Sequence, residues 1–244
     1  MRRLLDWLLY AQTGGQFRHL VGLTTHYAPP DVAAYRRYLP RALGMPARPM
    51  VKVFLIDYRE VVPWPLVRYQ EWSLLLRAVH GGAEGWYPVT MPVTTWVARE
   101  GGHHLGFPKY VTPSIGLVET PDGARGHAIA PGRMEVTMDF RLGAPPPAPG
   151  VERRLLEADS ILPDDLLTLK PVGKGPTAHR VRFVDVVPSR WERSPGGVTI
   201  RGDAGGLIPQ GTALAASLHR YRGGMNLVEA SAPRAARPRR APAA

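Results

Sequence analysis

The residue with the clearest potential for chemistry is Lys109, which lies in the stretch LGFPKYVT at positions 105–112. The chain has 31 lysines and arginines, of which only four are lysines, so an amine in this apolar setting needs a reason. A lysine is a nucleophile only as the free amine, and burial or a nearby cation lowers the pKa of an amine. A free amine can attack a ketone and form an iminium, which draws electrons from the adjacent carbon. This stretch by itself also allows an exposed lysine whose stem packs on Phe107 and Tyr110.

Two further places carry ionisable side chains next to apolar sequence. Glu71 lies in RYQEWSLLL, just before an apolar run, so a covered strand would desolvate its carboxylate and let it hold a proton. An acid in water at the edge of a strand is the alternative. His103 and His104 are adjacent, and neighbouring residues on a strand point to opposite faces, which makes them a poor chelating pair. We therefore expect no metal site, although either histidine could act as an acid or base.

Several classes of protein are excluded by what the sequence lacks. The absence of cysteine excludes a disulfide scaffold, a zinc–thiolate site and a cysteine nucleophile. The motifs of a serine-hydrolase elbow, a dinucleotide-binding turn and a phosphate-binding loop are all missing. The net charge of +11 invites an anionic partner, and four of those charges lie in the Ala/Pro/Arg-rich segment 231–244. We expect this tail to be disordered, and we expect no specific nucleic-acid partner because no recognised nucleic-acid motif is present.

The hydrophobic pattern predicts a soluble protein. No stretch approaches the roughly 20 apolar residues of a membrane span, so no membrane partner is expected. The first 15 residues form a short apolar run that Asp6 interrupts, which favours an amphipathic helix over a signal peptide. The expected localisation is therefore cytoplasmic.

Strand patterns dominate the rest of the chain. Alternating or β-branched segments predict the strands 50–58, 69–79, 133–140, 179–187 and 196–202. The segment 29–40 predicts a helix capped by Asp31 and stopped by Pro40. A second helix is possible at 151–169, and propensity favours a helix at 212–224. The sum is an α+β fold, mostly antiparallel β, with a few peripheral helices in a single domain over 1–230.

The segment GGHHLGFPKY at 101–110 resembles the segment of the acetoacetate decarboxylase family that has the form G-R-E-x-x-G-[FY]-P-K-K. Its G-F-P-K core places Lys109 at the family's Schiff-base lysine, and RYQEW places Glu71 at a pocket carboxylate. Weaker similarity extends over about 20–230. The resemblance implies a cone-like antiparallel β-barrel with flanking helices, usually assembled as a homo-oligomer. It also implies strand, not helix, at 212–224.

This chain departs from the family pattern at several polar positions. Tyr110 stands where the family has a second lysine, Gly102-His103 replaces an Arg-Glu pair, and Phe54 occupies the place of a second carboxylate. The iminium-forming lysine and one carboxylate are kept. Such a pattern suits a relative with altered chemistry, because aldol condensation or dehydration can use the same iminium. A larger or less charged substrate also suits Phe54.

The hypothesis from sequence is that Lys109 forms a Schiff base with a β-keto acid or related ketone, with decarboxylation as the default reaction. Glu71 orients the substrate or moves a proton. Phe107 helps to desolvate the amine, while His103, Tyr110 and Phe54 complete the substrate-binding set. No metal or organic cofactor is expected. The alternatives are an aldolase or dehydratase using the same lysine, a non-catalytic binder of small ligands, and a binder of anionic polymers through the tail.

Overall fold

The structure is a computed structural model, and the residues that it describes fall in seven ranges. They comprise residues 16–62, 68–130, 134–141, 165–172, 175–194, 198–201 and 215–228. The N-terminal segment 1–15 and the tail 231–244 lie outside these residues. The predicted amphipathic helix, the predicted disorder of the tail and the single domain over 1–230 therefore stay predictions.

Within the described residues, the chain forms twelve strands and two helices. The helices are α1 (Val32–Tyr38) and α2 (Trp96–His104). The strands are β1 (Gln16–Tyr27), β2 (Val51–Val62), β3 (Tyr69–His80), β4 (Ala83–Val93), β5 (Lys109–Val111), β6 (Ile115–Thr120), β7 (Gly123–Ala130), β8 (Met134–Arg141), β9 (Asp165–Val172), β10 (Gly175–Ser194), β11 (Val198–Arg201) and β12 (Ala215–Val228). The predicted fold class, mostly antiparallel β with helices beside the sheets, is confirmed.

The strands form two sheets. The larger sheet has the order β3-β2-β1-β12-β10-β9-β4-β5, and β3 also pairs with β4. The smaller sheet has the order β11-β8-β7-β6. Most neighbours are antiparallel, while β4 runs parallel to β5 and meets β9 at one parallel bridge between Trp86 and Leu166.

The strands β2 and β3 supply both faces of the larger sheet with buried side chains, because successive side chains of a strand alternate in direction. One set, the intersheet cluster, includes Val53 and Leu55 and packs against inward residues of the smaller sheet such as Val136. Gly126 of β7 lies so close to Leu55 that a Cβ on it would overlap the leucine side chain. The sheets therefore meet at backbone contact on this face.

The other set of side chains forms a second core, which we call the α2-side cluster because residues of α2 and the turn after it complete it. Its buried apolar members are Leu20, Met50, Phe54, Ile56, Tyr58, Tyr69, Leu75, Trp86, Met91, Val93, Ala98, Leu105 and Phe107. The two clusters share strands and lie on opposite faces. A substitution on β2 or β3 thus affects one cluster directly, and whether its residue number is odd or even decides which cluster that is.

The helix α1 confirms the prediction for 29–40. The Asp31 carboxylate accepts hydrogen bonds from the backbone N–H groups of Ala33 and Ala34, at 2.7 and 3.0 Å, as an N-cap does. Tyr35 is fully buried, and its hydroxyl lies within hydrogen-bonding distance of the Met50 carbonyl oxygen, at 3.2 Å, and of the Arg77 carbonyl oxygen. These bonds attach α1 to the larger sheet.

Three expectations about secondary structure are corrected. His103 and His104 end the helix α2 and do not lie on a strand; Thr95 caps this helix, whose adjacent Gly101 and Gly102 hide it from propensity. The possible helix at 151–169 is wrong over 165–169, which belongs to β9, and the remainder lies outside the described residues.

The helix that propensity favours at 212–224 is also wrong. The segment Ala215–Val228 is strand β12, which pairs with β1 on one side and β10 on the other. Two ladders of backbone hydrogen bonds outweigh the small helical preference of its alanines. The strand that the family resemblance implies is confirmed.

The structure carries no helix, within its described residues, with the length and apolarity to cross a membrane.

Buried tyrosines should make the free energy of unfolding decrease at alkaline pH. Burial raises the pKa of the Tyr27 phenol from 10.0 to about 12, and it raises the pKa of Tyr35 as well. The pKa of each phenol is higher in the folded state than in the unfolded state. The stabilisation is therefore complete below the unfolded-state pKa and is lost as the pH rises towards and through the folded-state pKa. We expect the free energy of unfolding to fall between pH 10 and pH 12, less steeply in a Tyr27→Phe/Tyr35→Phe variant than in the parent.

Chemical denaturation at a series of pH values measures this slope. Tyr38→Phe serves as the control, because Tyr38 is 38% exposed on the same helix as Tyr35. Equal slopes for the double variant and the parent would show that these phenols do not carry the effect.

Candidate active site

Lys109 opens the short strand β5 and points into the α2-side cluster. Its backbone pairs with Met91 of β4, which holds β5 at the end of the larger sheet. The lysine side chain is only 4% exposed, so its amine is shielded from bulk water. The aromatic side chain of Phe107, two residues earlier, is buried in the same cluster.

The turn between α2 and β5 directs this lysine inward. Gly106 has a φ of 83°, a left-handed conformation that glycine adopts without the strain imposed by a Cβ. The backbone N–H of Phe107 then donates to the carbonyl oxygen of Gly102 at 2.9 Å, which closes the helix end. Pro108 is exposed on the far side of the turn. The G-F-P-K sequence therefore acts as a helix terminator that presents Lys109 to the cluster.

Glu71 is the partner of this amine. The Lys109 ammonium donates a hydrogen bond to Oε2 of Glu71, whose side chain is 1% exposed. The hydroxyl of Ser73 lies 3.3 Å from the other carboxylate oxygen, Oε1, and donates to it. Both oxygens of the carboxylate thus have a partner, which is the condition under which a buried ion pair is tolerated. Removing either charge would leave the other buried without compensation, at a cost of about 3–5 kcal/mol.

The sheet brings these two residues together across β4. Glu71 pairs with Val93 of β4, and Val93 pairs with Val111 of β5, two residues beyond Lys109. Two strand spacings separate the backbones by about 10 Å, a gap that two long side chains on one face can bridge. A residue that opens β5 and a residue on β3 therefore meet across β4.

Aromatic rings surround the amine. The Nζ atom of Lys109 lies 5.6 Å from the ring centre of Tyr69 and 5.6 Å from that of Phe107. Tyr69 is in turn stacked on Tyr58, with ring centres 4.2 Å apart. Ring faces attract a cation at such distances while excluding water. The amine consequently sits among one carboxylate and several π-surfaces.

Gly102 of α2 gives the lysine stem its room. A Cβ on Gly102 would lie 2.7 Å from Cε and 2.8 Å from Cγ of Lys109, closer than atoms of real side chains approach. The helix backbone therefore packs directly on the methylenes of Lys109. Any side chain at this position would force the stem onto a different path.

His103 and Tyr110 lie beside the amine without joining its immediate surroundings. The ring atom Nε2 of the exposed His103 is 2.6 Å from the backbone carbonyl oxygen of Lys109, so the imidazole contacts the main chain of the strand. Tyr110 follows Lys109 on β5, and the alternation of a strand directs its side chain to the opposite face.

Of the six residues expected from sequence, four share the α2-side cluster or its interior face. Lys109 and Glu71 are in direct contact, and Phe107 borders the amine. Phe54 is buried in the same cluster, opposite Ser73 in the β2–β3 register.

Sequence reasoning missed Tyr69, Ser73 and Gly102. The first two could have been found, because Tyr69, Glu71 and Ser73 alternate along one strand and must share a face. Gly102 carried no such signal, since its role arises from a contact between a helix and a strand. Among the described residues, no group of three or more histidine or acidic side chains could hold a metal ion.

Comparison with known proteins places this geometry in context. A protein-family model described as acetoacetate decarboxylase matches residues 21–209. None of the proteins with curated descriptions matches the chain.

Solved structures share the fold at low sequence identity. A solved acetoacetate decarboxylase superposes with a TM-score of 0.67 at 16% identity, covering 89% of this chain and 90% of its own. The acetoacetate decarboxylase of Legionella pneumophila gives 0.65 at 16% identity, with coverages of 89% and 88%. The enduracididine biosynthesis enzyme MppR, solved with pyruvate, gives 0.62 at 17% identity, with coverages of 88% and 91%. At such identities these structures support the architecture, and the family assignment rests on the family model.

The stretch that this model matches begins in β1 and ends beyond β11, so it includes Glu71, the turn after α2 and Lys109. Because the match spans most of its length, the chain belongs to the acetoacetate decarboxylase family.

Proposed function

We propose that this protein is a lyase that forms a Schiff base between Lys109 and a β-keto acid or related ketone, with decarboxylation as its reaction. The observation that carries the proposal is the hydrogen bond from the Lys109 amine to Glu71 inside a buried aromatic cluster. A lysine and a carboxylate are both rare at full burial, and placing them there serves chemistry that a surface pair could not perform.

The pair can generate the nucleophile internally. Moving one proton from the ammonium of Lys109 to the carboxylate of Glu71 gives a neutral amine and a neutral acid with no change in total charge. Surroundings of low polarity penalise separated charges, so they bring the neutral pair closer in energy to the ion pair than water does. Glu71 thus acts as the base that frees the amine and keeps the proton for later use.

The reaction then follows from the chemistry of an iminium. The amine nitrogen attacks the ketone carbon, and loss of water leaves an iminium that is covalently bound to Lys109. The bond to the carboxylate carbon breaks, carbon dioxide leaves, and the electron pair of that bond moves into the iminium to give an enamine. The proton that Glu71 took from the amine leaves in the water lost when the iminium forms, so a second proton, taken up from solvent, passes through Glu71 to the enamine carbon. Water then hydrolyses the resulting iminium, which releases the ketone and regenerates the amine.

The neighbouring residues take supporting roles in this proposal. Phe107 and Tyr69 exclude water from the amine, and Phe54 provides an apolar wall further along the same face. His103 positions Lys109 by holding its carbonyl oxygen, and an imidazole N–H can do so in either charge state. Tyr110 is given no contact with the substrate, because its side chain lies on the face of β5 opposite to Lys109.

The wider setting follows the family resemblance. We propose that the larger sheet closes as a cone-like barrel around the α2-side cluster, supported by the second pairing of β3 with β4. We also propose a cytoplasmic homo-oligomer whose partner is a small keto acid or ketone.

An aldolase or dehydratase using the same lysine is the second candidate. The observation in its favour is Phe54, an apolar residue where the family resemblance places a second carboxylate. MppR, which shares the fold, is solved with pyruvate bound. In this case the enamine attacks a second carbonyl compound, and the same amine and carboxylate serve both reactions.

Reduction should trap the covalent intermediate on Lys109. Incubation with acetoacetate and sodium borohydride, followed by peptide mass mapping, is expected to label Lys109 in the parent and to leave Lys109→Arg unlabelled, because a guanidinium does not form an iminium. Lys170→Arg on β9 is the matched control and should be labelled like the parent. An unmodified Lys109 in the folded parent would refute the covalent mechanism, and saturable ligand binding that survives Lys109→Ala would favour a non-catalytic binder.

Glu71→Gln should separate proton transfer from shape. The amide keeps the size of the side chain but cannot accept the proton of the amine, so kcat for decarboxylation is expected to fall about a hundredfold or more. Carbon dioxide release measures it. The control Asp139→Asn changes a partly exposed carboxylate on β8 in the same way and should retain the parental rate. A loss of less than about threefold in Glu71→Gln would remove the base role from this residue.

Gly102→Ala should misplace the nucleophile without unfolding the protein. The added methyl group must displace the Lys109 stem, and a shift of about 1 Å in a reacting group can cost about a hundredfold in rate. Alanine favours a helix over glycine, so the loss should appear in the rate of borohydride trapping and not in thermal stability. Gly44→Ala is the control, because its Cβ would meet Val79 at an ordinary 3.5 Å. Trapping at the parental rate in Gly102→Ala would show that the stem has room to spare.

A further inference from the structure

A second buried amine shares the face of the sheet that carries the proposed site. Lys52 of β2 has no exposed surface, and its Nζ atom lies 4.9 Å from the ring centre of Trp86. Lysine is among the residues least often buried completely. The mechanism proposed for Lys109 does not use the Lys52 amine, so a separate role for Lys52 is considered.

The strand register places Lys52 on the same face as the catalytic pair. Lys52 pairs with Leu75 of β3, and Leu75 lies four residues beyond Glu71, an even number that keeps both side chains on one face. At a rise of about 3.3 Å per residue, the two positions are roughly 13 Å apart along the sheet. Phe54 lies between them on β2, opposite Ser73. One continuous buried surface therefore connects the two amines.

Two aromatic rings that can form hydrogen bonds, those of His26 and Trp86, lie near the ammonium of Lys52. His26 of β1 is its direct partner in the β1–β2 register, and the His26 ring centre lies 5.9 Å from that of Trp86. His26 is 5% exposed and Trp86 is 4% exposed. An ammonium and an imidazole side by side at the end of an apolar surface are suited to an anionic group.

We propose that Lys52 binds a carboxylate at the far end of a keto acid whose ketone reacts with Lys109, an inference that rests on the function proposed above. An ammonium has three N–H donors, so it can bind a ligand carboxylate alongside the contacts it makes within the protein. In the decarboxylation, the carboxylate in the β position to the ketone leaves as carbon dioxide. The distal carboxylate takes no part in bond breaking and stays with Lys52.

The separation of the two amines defines the class of substrate. Because the Lys109 amine is hydrogen-bonded to Glu71, the roughly 13 Å between the Glu71 and Lys52 positions sets the scale of the gap when the two side chains stand parallel on one face. Less one covalent bond at Lys109 and a hydrogen bond of about 2.8 Å at Lys52, this gap fits a ketone and carboxylate about six carbons apart. Phe54 offers an apolar contact for the methylene groups between them. The structure thereby favours a medium-chain keto diacid over acetoacetate, which is too short to reach both amines.

The test compares two ketones of equal length in a trapping assay. The first probe, 7-oxooctanoate, carries a ketone next to its terminal methyl group and a carboxylate at the other end. The second probe, 2-octanone, has the same ketone and chain length but lacks the carboxylate. Half-saturating concentrations for borohydride trapping on Lys109 are measured with each probe. We expect the keto acid to saturate at about a tenfold to hundredfold lower concentration in the parent, the range for a hydrogen bond between charged groups.

Lys52→Met should abolish this preference. Methionine keeps a similar length and removes the charge, so trapping of octanone is expected to be unchanged while trapping of the keto acid falls to the same level. Arg125→Met is the control for charge loss, since that side chain is 72% exposed on β7, and it should keep the parental preference.

Each outcome decides between the two proposals. If octanone is trapped in the parent as well as the keto acid, the carboxylate site at Lys52 is overturned while the Schiff-base function stands. If Lys52→Met reduces trapping of both ketones equally, the lysine has a structural role and the proposal is again overturned. If Lys52→Met does not fold, the preference of the parent decides. If neither ketone nor acetoacetate is trapped on Lys109, the proposed function fails first.

Discussion

The buried pair of Lys109 and Glu71 is the interaction that the rest of this structure serves. Two opposite charges removed from water are costly, and their attraction repays that cost only when geometry and hydrogen bonds are good. The register of β3, β4 and β5 sets the geometry, and Ser73 supplies the further hydrogen bond to the carboxylate. The aromatic rings around the amine then exclude water. Much of the α2-side cluster can be understood as the support of this single contact.

Because side chains alternate along the strands, one face of the larger sheet packs on the smaller sheet while the other face carries the candidate site. On one face, β2 and β3 contribute to the intersheet cluster, where apolar side chains and a close backbone contact at Gly126 hold the two sheets together. On the other face, the same strands carry Glu71, Ser73 and Lys52 among apolar side chains, and Lys109 of β5 joins them there. Stability and chemistry are thereby divided between faces. The site can hold charged groups because the opposite face supplies apolar burial.

The departures from the family pattern acquire a physical meaning in the structure. Where the family segment has an arginine, this chain has Gly102, and the lysine stem occupies the space against the helix backbone. Where the family has a second lysine next to the first, this chain has Tyr110, whose side chain lies on the opposite face of β5. A second buried amine is nonetheless present on the interior face, contributed by Lys52 of β2. The second amine therefore comes from β2 and not from the residue that follows Lys109.

Local sequence predicted many of the elements, and a short motif shared with a family singled out Lys109 as a candidate. Clean alternation predicted β8, the Asp31 cap and Pro40 bounded α1, and the G-F-P-K frame identified Lys109 before any coordinates. What these signals share is a short range, because capping, alternation and turn chemistry act between residues a few positions apart. The same range explains the failures: β12 carries helix-favouring alanines, and α2 contains two adjacent glycines, so their local preferences pointed the wrong way. Only the tertiary structure could decide that β12 is held between two strands, that Gly102 touches the lysine stem, and that Lys52 shares a face with Glu71. Each of these is a contact between residues distant in the chain, and its energy is set by packing and register that no single segment contains.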